Sequence, residues 1–135
     1  MFLEALTPEE ACAFLDLAWI AAETDGEVAE EERSVLNAFL FETRLLAYER
    51  SSRTESEITD MLAKAPRAHR HIVMIELCGL WAADRIWADK EIEMLERIAT
   101  AIKIPLDVAH RMKRWANEFC DVVADGLGII YGGRE

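Results

Sequence analysis

Apolar residues recur along most of the chain at intervals of three and four, the spacing of one helical face. Thr7-Pro8-Glu9-Glu10 has the form of a capping box with proline at the first helical position, so it opens a first helix. Phe14, Leu17, Ala18 and Ala21 make its buried stripe, and it is predicted to end near Glu23, before Asp25-Gly26. A second helix is predicted from about Glu30 to Glu49, with Val35, Leu36, Phe39, Leu40 and Leu46 on its apolar side. Ser51-Ser52-Arg53 breaks the pattern. Thr54 with Glu57 is another capping box and opens a short helix to about Ala65, stopped by Pro66. A fourth helix, about Ala68 to Ala83, is so dense in apolar residues that it is expected to be the most buried. A fifth runs from about Asp89 to Ile102. Pro105 starts a sixth, which carries Val108, Met112, Trp115 and Phe119 to about Ala124, where Gly126 and Gly128 are expected to end it. The tail Ile129-Ile130-Tyr131-Gly132-Gly133-Arg134-Glu135 has no assignment. No segment alternates with period two. The pattern therefore predicts one all-α, bundle-like domain over residues 1–135, of six to seven helices packed as antiparallel pairs.

Shifting the sequence against itself by 59 positions reveals a repeat. Glu23 to Phe39 falls on Ala82 to Ile98, with Asp25 on Asp84, Glu32 on Glu91, Leu36 on Leu95 and Phe39 on Ile98. Each half reads apolar helix, Asp turn, then a helix with Glu seven residues after the Asp. Two copies predict a duplicated helical hairpin with a pseudo-twofold axis, the halves spanning about 7–50 and 67–124 and joined by a short helix over 55–65. Two copies are too few for a solenoid.

Composition narrows the function. A 52% hydrophobic content over 135 residues suffices for a single core. The net charge of −11 disfavours nucleic acid and anionic membrane surfaces and favours cations or a basic protein partner. No run of about 18 uncharged apolar residues is present, so no membrane span is expected, and no basic stretch opens a signal peptide. Cys12, Cys78 and Cys120 are odd in number and lie in apolar helical stretches, which predicts reduced, buried thiols and a cytoplasmic location. They lack zinc-ligand spacing. His69 and His71 are two apart and so diverge on a helix. Asp107 and His110 form one half of a di-iron pattern that has no second half. Trp19, Trp81 and Trp115 are expected in the core, and Trp87 is expected to pack inward. No nucleophile, general base or phosphate loop is recognisable, so an enzyme is not expected. Metal-assisted hydrolysis is the weakest of the readings, having oxygen ligands but no reacting group.

The carboxylates carry the remaining signal. Glu32 and Glu91 fall in the first turn of a helix, where the dipole favours a negative side chain by roughly 0.3–1 kcal/mol. Each sits three residues after an expected N-cap, but that cap is Ala29 or Ala88, so half of a capping box is missing. Asp25 and Asp84 follow helix C-terminal ends, where a negative charge meets the negative pole. Such acids lose stability together unless a positive group joins them, and hard divalent cations take several oxygen ligands. The spacing of an EF-hand is absent.

An Ala-rich helix end leading to an Asp (Asp25-Gly26 in the first copy, Asp84-Arg85 in the second), an apolar residue three after the Asp and Glu seven after it, given twice in a small acidic α-protein, resembles the TerB-like domain of tellurite resistance proteins. The resemblance spans roughly Thr7 to Ala124 and includes Ile102-Lys103-Ile104-Pro105 before the last helix. It implies a pseudo-twofold helical fold and a divalent-metal site, calcium first and magnesium second. The implied ligands are Asp25 and Glu32 from one copy and Asp84 and Glu91 from the other, and the implied role is scaffolding or stress response rather than catalysis. Arg85 stands where that family usually has glycine. Because arginine takes φ > 0 only at a cost, the second turn is expected to differ in shape, with a guanidinium available to neutralise neighbouring carboxylates. The alternative is a metal-free protein-interaction module in which Arg85 and the acids form an ionic network and an acidic face docks a basic partner.

Overall fold

A computed structural model describes residues 1–24 and 26–132. Among them are six α-helices and no strand: α1 (Pro8–Ala22), α2 (Glu30–Thr43), α3 (Glu55–Leu62), α4 (Arg67–Ala82), α5 (Asp89–Ala101) and α6 (Leu106–Tyr131). A 3-10 turn over Leu3–Ala5 precedes them and buries Leu3; the apolar pattern did not predict it. No helix among the described residues is long and apolar enough to cross a membrane.

Local chemistry sets the helix starts. Thr7 and Thr54 each accept from the N–H three residues on, while Glu10 and Glu57 accept from the Thr N–H, completing both capping boxes. The duplication is visible in the helix register. The starts of α1 and α2, Pro8 and Glu30, reappear 59 positions later as the starts of α4 and α5, Arg67 and Asp89. Around α1 and α4 packs one core in which Phe14, Leu17, Ala18, Leu77, Trp81, Leu95 and Ile98 are fully buried. Phe14 meets Phe39 edge to face at 5.0 Å between centroids. The Trp81 indole N–H donates to the Ala21 carbonyl at 3.3 Å and so ties α4 to the end of α1.

Several expectations are corrected. The second helix stops at Thr43, not Glu49, because Arg44 turns left-handed at φ 62°. The chain after it is held instead by Asp16, the one charged side chain on the buried face of α1. Asp16 accepts from the Tyr48 and Ser51 hydroxyls, from the Ser51 N–H at 3.1 Å and from Arg53 Nη2 at 3.0 Å. Burial pushes the Asp16 pKa up, but the Ser51, Tyr48 and Arg53 donors outweigh it and hold the carboxyl below its ordinary value. Leu46, drawn out of the helix, is exposed.

At the other end, α6 runs through Gly126 and Gly128 to Tyr131. A glycine ends a helix by turning left-handed just past its last residue, and neither Gly126 nor Gly128 has a positive φ. Nothing lies within 4 Å of the place a Cβ would take at either glycine, and the hydrogen-bond ladder simply continues. Trp115 and Phe119 are 39% and 40% exposed, so Trp115 is not a core residue; Trp19 is half-buried and only Trp81 is enclosed. Trp87 does pack inward, 5.8 Å from the Trp81 ring, and donates to Asn117 at 2.9 Å. Cys12, Cys78 and Cys120 are free thiols. Only Cys78 is buried, and its surroundings raise its pKa to about 12.

Candidate functional site

The ends of α1 and α4 meet, the Trp81 indole N–H donating to the Ala21 carbonyl. Thr24 Oγ1, beside the first corner, is 3.1 Å from Met94 Sδ, one turn beyond Glu91 on α5. The matching residues of the other half, Ala83 and Val35, also border one cavity. Glu32 is 1% exposed and Glu91 2%. Each reaches back to its own helix start: Glu32 Oε1 accepts from Ala29 N–H at 3.1 Å and Glu91 Oε1 from Ala88 N–H at 2.8 Å. Alanine supplies no acceptor in return, so each is half a capping box placed at the positive end of a helix dipole. Asp84 is half-buried and accepts from Ile86 N–H at 3.0 Å, closing its own turn. Asp25, the remaining expected ligand, lies outside the described residues. Among the described residues no three His, Cys, Asp or Glu side chains gather into a set that could hold an ion.

One expectation about Arg85 is corrected. Its φ of 69° lies in the same left-handed region as Gly26 at 96°, so the second turn keeps the handedness of the first and arginine bears the strain. Its guanidinium pairs with Asp121 on α6, a residue outside the four expected ligands. That pair neutralises a neighbouring carboxylate, as expected of the guanidinium, and bridges the second corner to the last helix.

The larger feature was not foreseen in the sequence. Beside the corners, α2 and α6 stand as two walls over a floor of α4 and enclose an open groove of about 740 Å³. Val35 and Phe39 come from α2, Ile75 and Gly79 from α4, and Trp115, Phe119, Val123 and Leu127 from α6. Trp115 and Phe119 stack at 5.4 Å, and Phe2 closes the end of the groove against Trp115 at 6.2 Å. Glu76, on the floor, accepts from the Phe2 N–H and the Met1 amine, both at 2.8 Å. The walls carry carboxylates: Glu31 borders the groove from α2, and Glu118, Asp121 and Asp125 are exposed along α6. Beyond the groove α6 overhangs the body, with Val122, Ile129, Ile130 and Tyr131 each at least 67% exposed. A signal for this was present, because the α6 stripe at 115, 119, 123 and 127 continues past both glycines. Such a row of exposed apolar side chains is more than the singly scattered ones ordinary on a protein surface. Comparison with known proteins returns no matching family model, no matching characterised relative and no matching solved structure.

Proposed function

We propose that the chain is a helical protein-interaction module that docks a partner protein in the groove between α2, α4 and α6. The observation that carries this is the apolar groove of about 740 Å³ continuous with the uncovered face of α6. Folding leaves Trp115, Phe119, Val123 and Leu127 each partly in water, so part of the roughly 1.5–3 kcal/mol that full burial of such a side chain contributes is unrealised. A partner recovers that free energy, and two helical walls suit a segment presenting its own apolar face. The free thiols fit a reducing compartment such as the cytoplasm. The test is selection from a displayed library of helical peptides. Binders should lose affinity at Phe119→Asp, an exposed position whose change leaves the core intact. Binders indifferent to that change would sink the proposal.

A second reading keeps the resemblance to TerB-like domains and makes the corner a divalent-cation clamp, calcium first and magnesium second, on Asp25, Glu32, Asp84 and Glu91. What favours it is the pair of buried glutamates at equivalent positions of the two hairpins, together with the approach of Thr24 to Met94. A cation shared by both corners would couple the hairpins to metal. At about 100 times the dissociation constant it would add roughly 2.7 kcal/mol of stability. The test is a thermal melt with calcium, then magnesium, against chelator, repeated on Glu91→Gln, which keeps an acceptor for Ala88 N–H. The midpoint should rise in the parent and not in the variant; no rise at millimolar metal removes this reading.

A further inference from the structure

We infer that the occupant of the groove is a single amphipathic α-helix with a basic polar face, an inference that rests on the docking reading above and names its partner. The shape of the groove comes first. Its α6 wall presents Trp115, Phe119, Val123 and Leu127 at four-residue steps, an apolar ridge inclined to the helix axis. The facing wall presents Val35 and Phe39 at the same step. Apolar side chains on two facing walls over a floor form a trough, the shape that accepts anchors at i, i+3, i+4 and i+7 of a helix laid in it. Gly79 lowers the floor: a Cβ there would meet nothing within 4 Å, so the space above it is open to an incoming side chain.

Charge selects the kind of helix. From Trp115 to Gly132 the chain carries Glu118, Asp121 and Asp125 and no Lys, Arg or His. Glu31 faces them from α2, with Glu30 and Glu27 exposed just before it. Among the described residues two cations border the groove and both are engaged, Arg85 by Asp121 and the Met1 amine by Glu42 and Glu76. Basic side chains flanking the anchors would therefore meet carboxylates on both walls. The other half of α6 carries Arg111, Lys113 and Arg114, so the partner's positive charges belong toward the 118–125 end. A second copy of this chain fits less well. It would bring its own Glu118, Asp121 and Asp125 into the groove and add a second net charge of −11. Anionic lipid is opposed by the same field.

The probe is a labelled peptide of about 18 residues, five helical turns, built from leucine and lysine in amphipathic order. Its controls are a non-amphipathic scramble and the leucine–glutamate counterpart. The leucine–lysine peptide should bind at least about tenfold more tightly than either control and weaken as salt is added. Gly79→Leu fills the floor and should lower affinity by about tenfold or more while circular dichroism stays unchanged, since leucine is the better helix former. Gly79→Ala, which adds only the Cβ, checks that the position accepts substitution. Equal binding of the leucine–glutamate peptide overturns the basic partner and leaves the docking reading standing. Reversible dimerisation in sedimentation, abolished by Phe119→Asp, overturns it in favour of a second copy. Uptake by zwitterionic vesicles in competition with the peptide overturns it in favour of lipid. Peptide binding that ignores Gly79→Leu places the contact elsewhere and overturns it too. If no peptide binds and the chain stays monomeric and off vesicles, the docking reading falls with it.

Discussion

Replacing Asp16 by Asn tests how the α2 wall is held in place. Asp16 is 2% exposed on the inner side of α1 and gathers Tyr48, Ser51 and Arg53 from the connection that follows α2. Asparagine keeps the shape and one acceptor oxygen, but it loses the charge and turns an oxygen into a donor facing other donors. A hydrogen bond to a charged group contributes about 1.5–3 kcal/mol, and breaking a fully buried ion pair costs roughly 3–5 kcal/mol. The Arg53 side chain is 32% exposed and can rehydrate, so the lower part of that span applies. We expect a loss of about 2–3 kcal/mol, which is roughly 6–12 °C in Tm for a domain of this size. The pH dependence has a definite sign. The Asp16 carboxyl is held below its ordinary value of 3.8, so its stabilisation is complete above about that pH and is lost as pH falls through the lower folded value. Urea unfolding of parent and variant at pH 7 and at pH 3 measures both effects. The gap between them should narrow at pH 3. A difference below about 0.5 kcal/mol at pH 7, the range of an ordinary surface change, would refute the reasoning, as would a gap that widens in acid.

Further outcomes are equally definite. Phe14→Ala removes a ring that is fully enclosed against Phe39 and should cost about 3–5 kcal/mol in chemical denaturation. Gly79→Ala, inside α4 with open space at its Cβ, should raise stability by roughly 0.5–1 kcal/mol; a loss would mean that the floor is filled in the free protein. Deleting residues 125–135 removes exposed overhang and should change the unfolding free energy by less than about 1 kcal/mol while improving solubility. A large loss would show that the overhang packs on the body. Phe119→Asp should leave the melting midpoint within about 2 °C of the parent, because the ring is already partly in water.

The division between sequence and structure follows range. The capping boxes at Thr7 and Thr54 and the starts of α1, α3 and α5 were legible because their determinants lie within a few residues. The 59-residue duplication was legible because the same pattern produces the same hairpin twice. Glu32 and Glu91 were correctly placed at matching helix starts, while their burial was not visible from spacing. Asp16 could have been noticed as a lone carboxylate on an apolar face. Its partners come from 32 to 37 residues away, and no local rule reaches that far.

The last helix separates the two kinds of information most clearly. Sequence alone determined an all-helical chain, its repeated hairpins and the apolar stripe of α6. Tertiary structure decided what that stripe meets. α4 ends at Ala82 and Arg85 just past it meets Asp121, so the last turns of α6 run on to Tyr131 largely exposed, while Trp115 and Phe119, beside Ile75 and Gly79, face a groove instead of a core. Periodicity records that one side of a helix is apolar. Whether that side is covered depends on the lengths and crossing of neighbours distant in the chain, which the folded arrangement alone specifies.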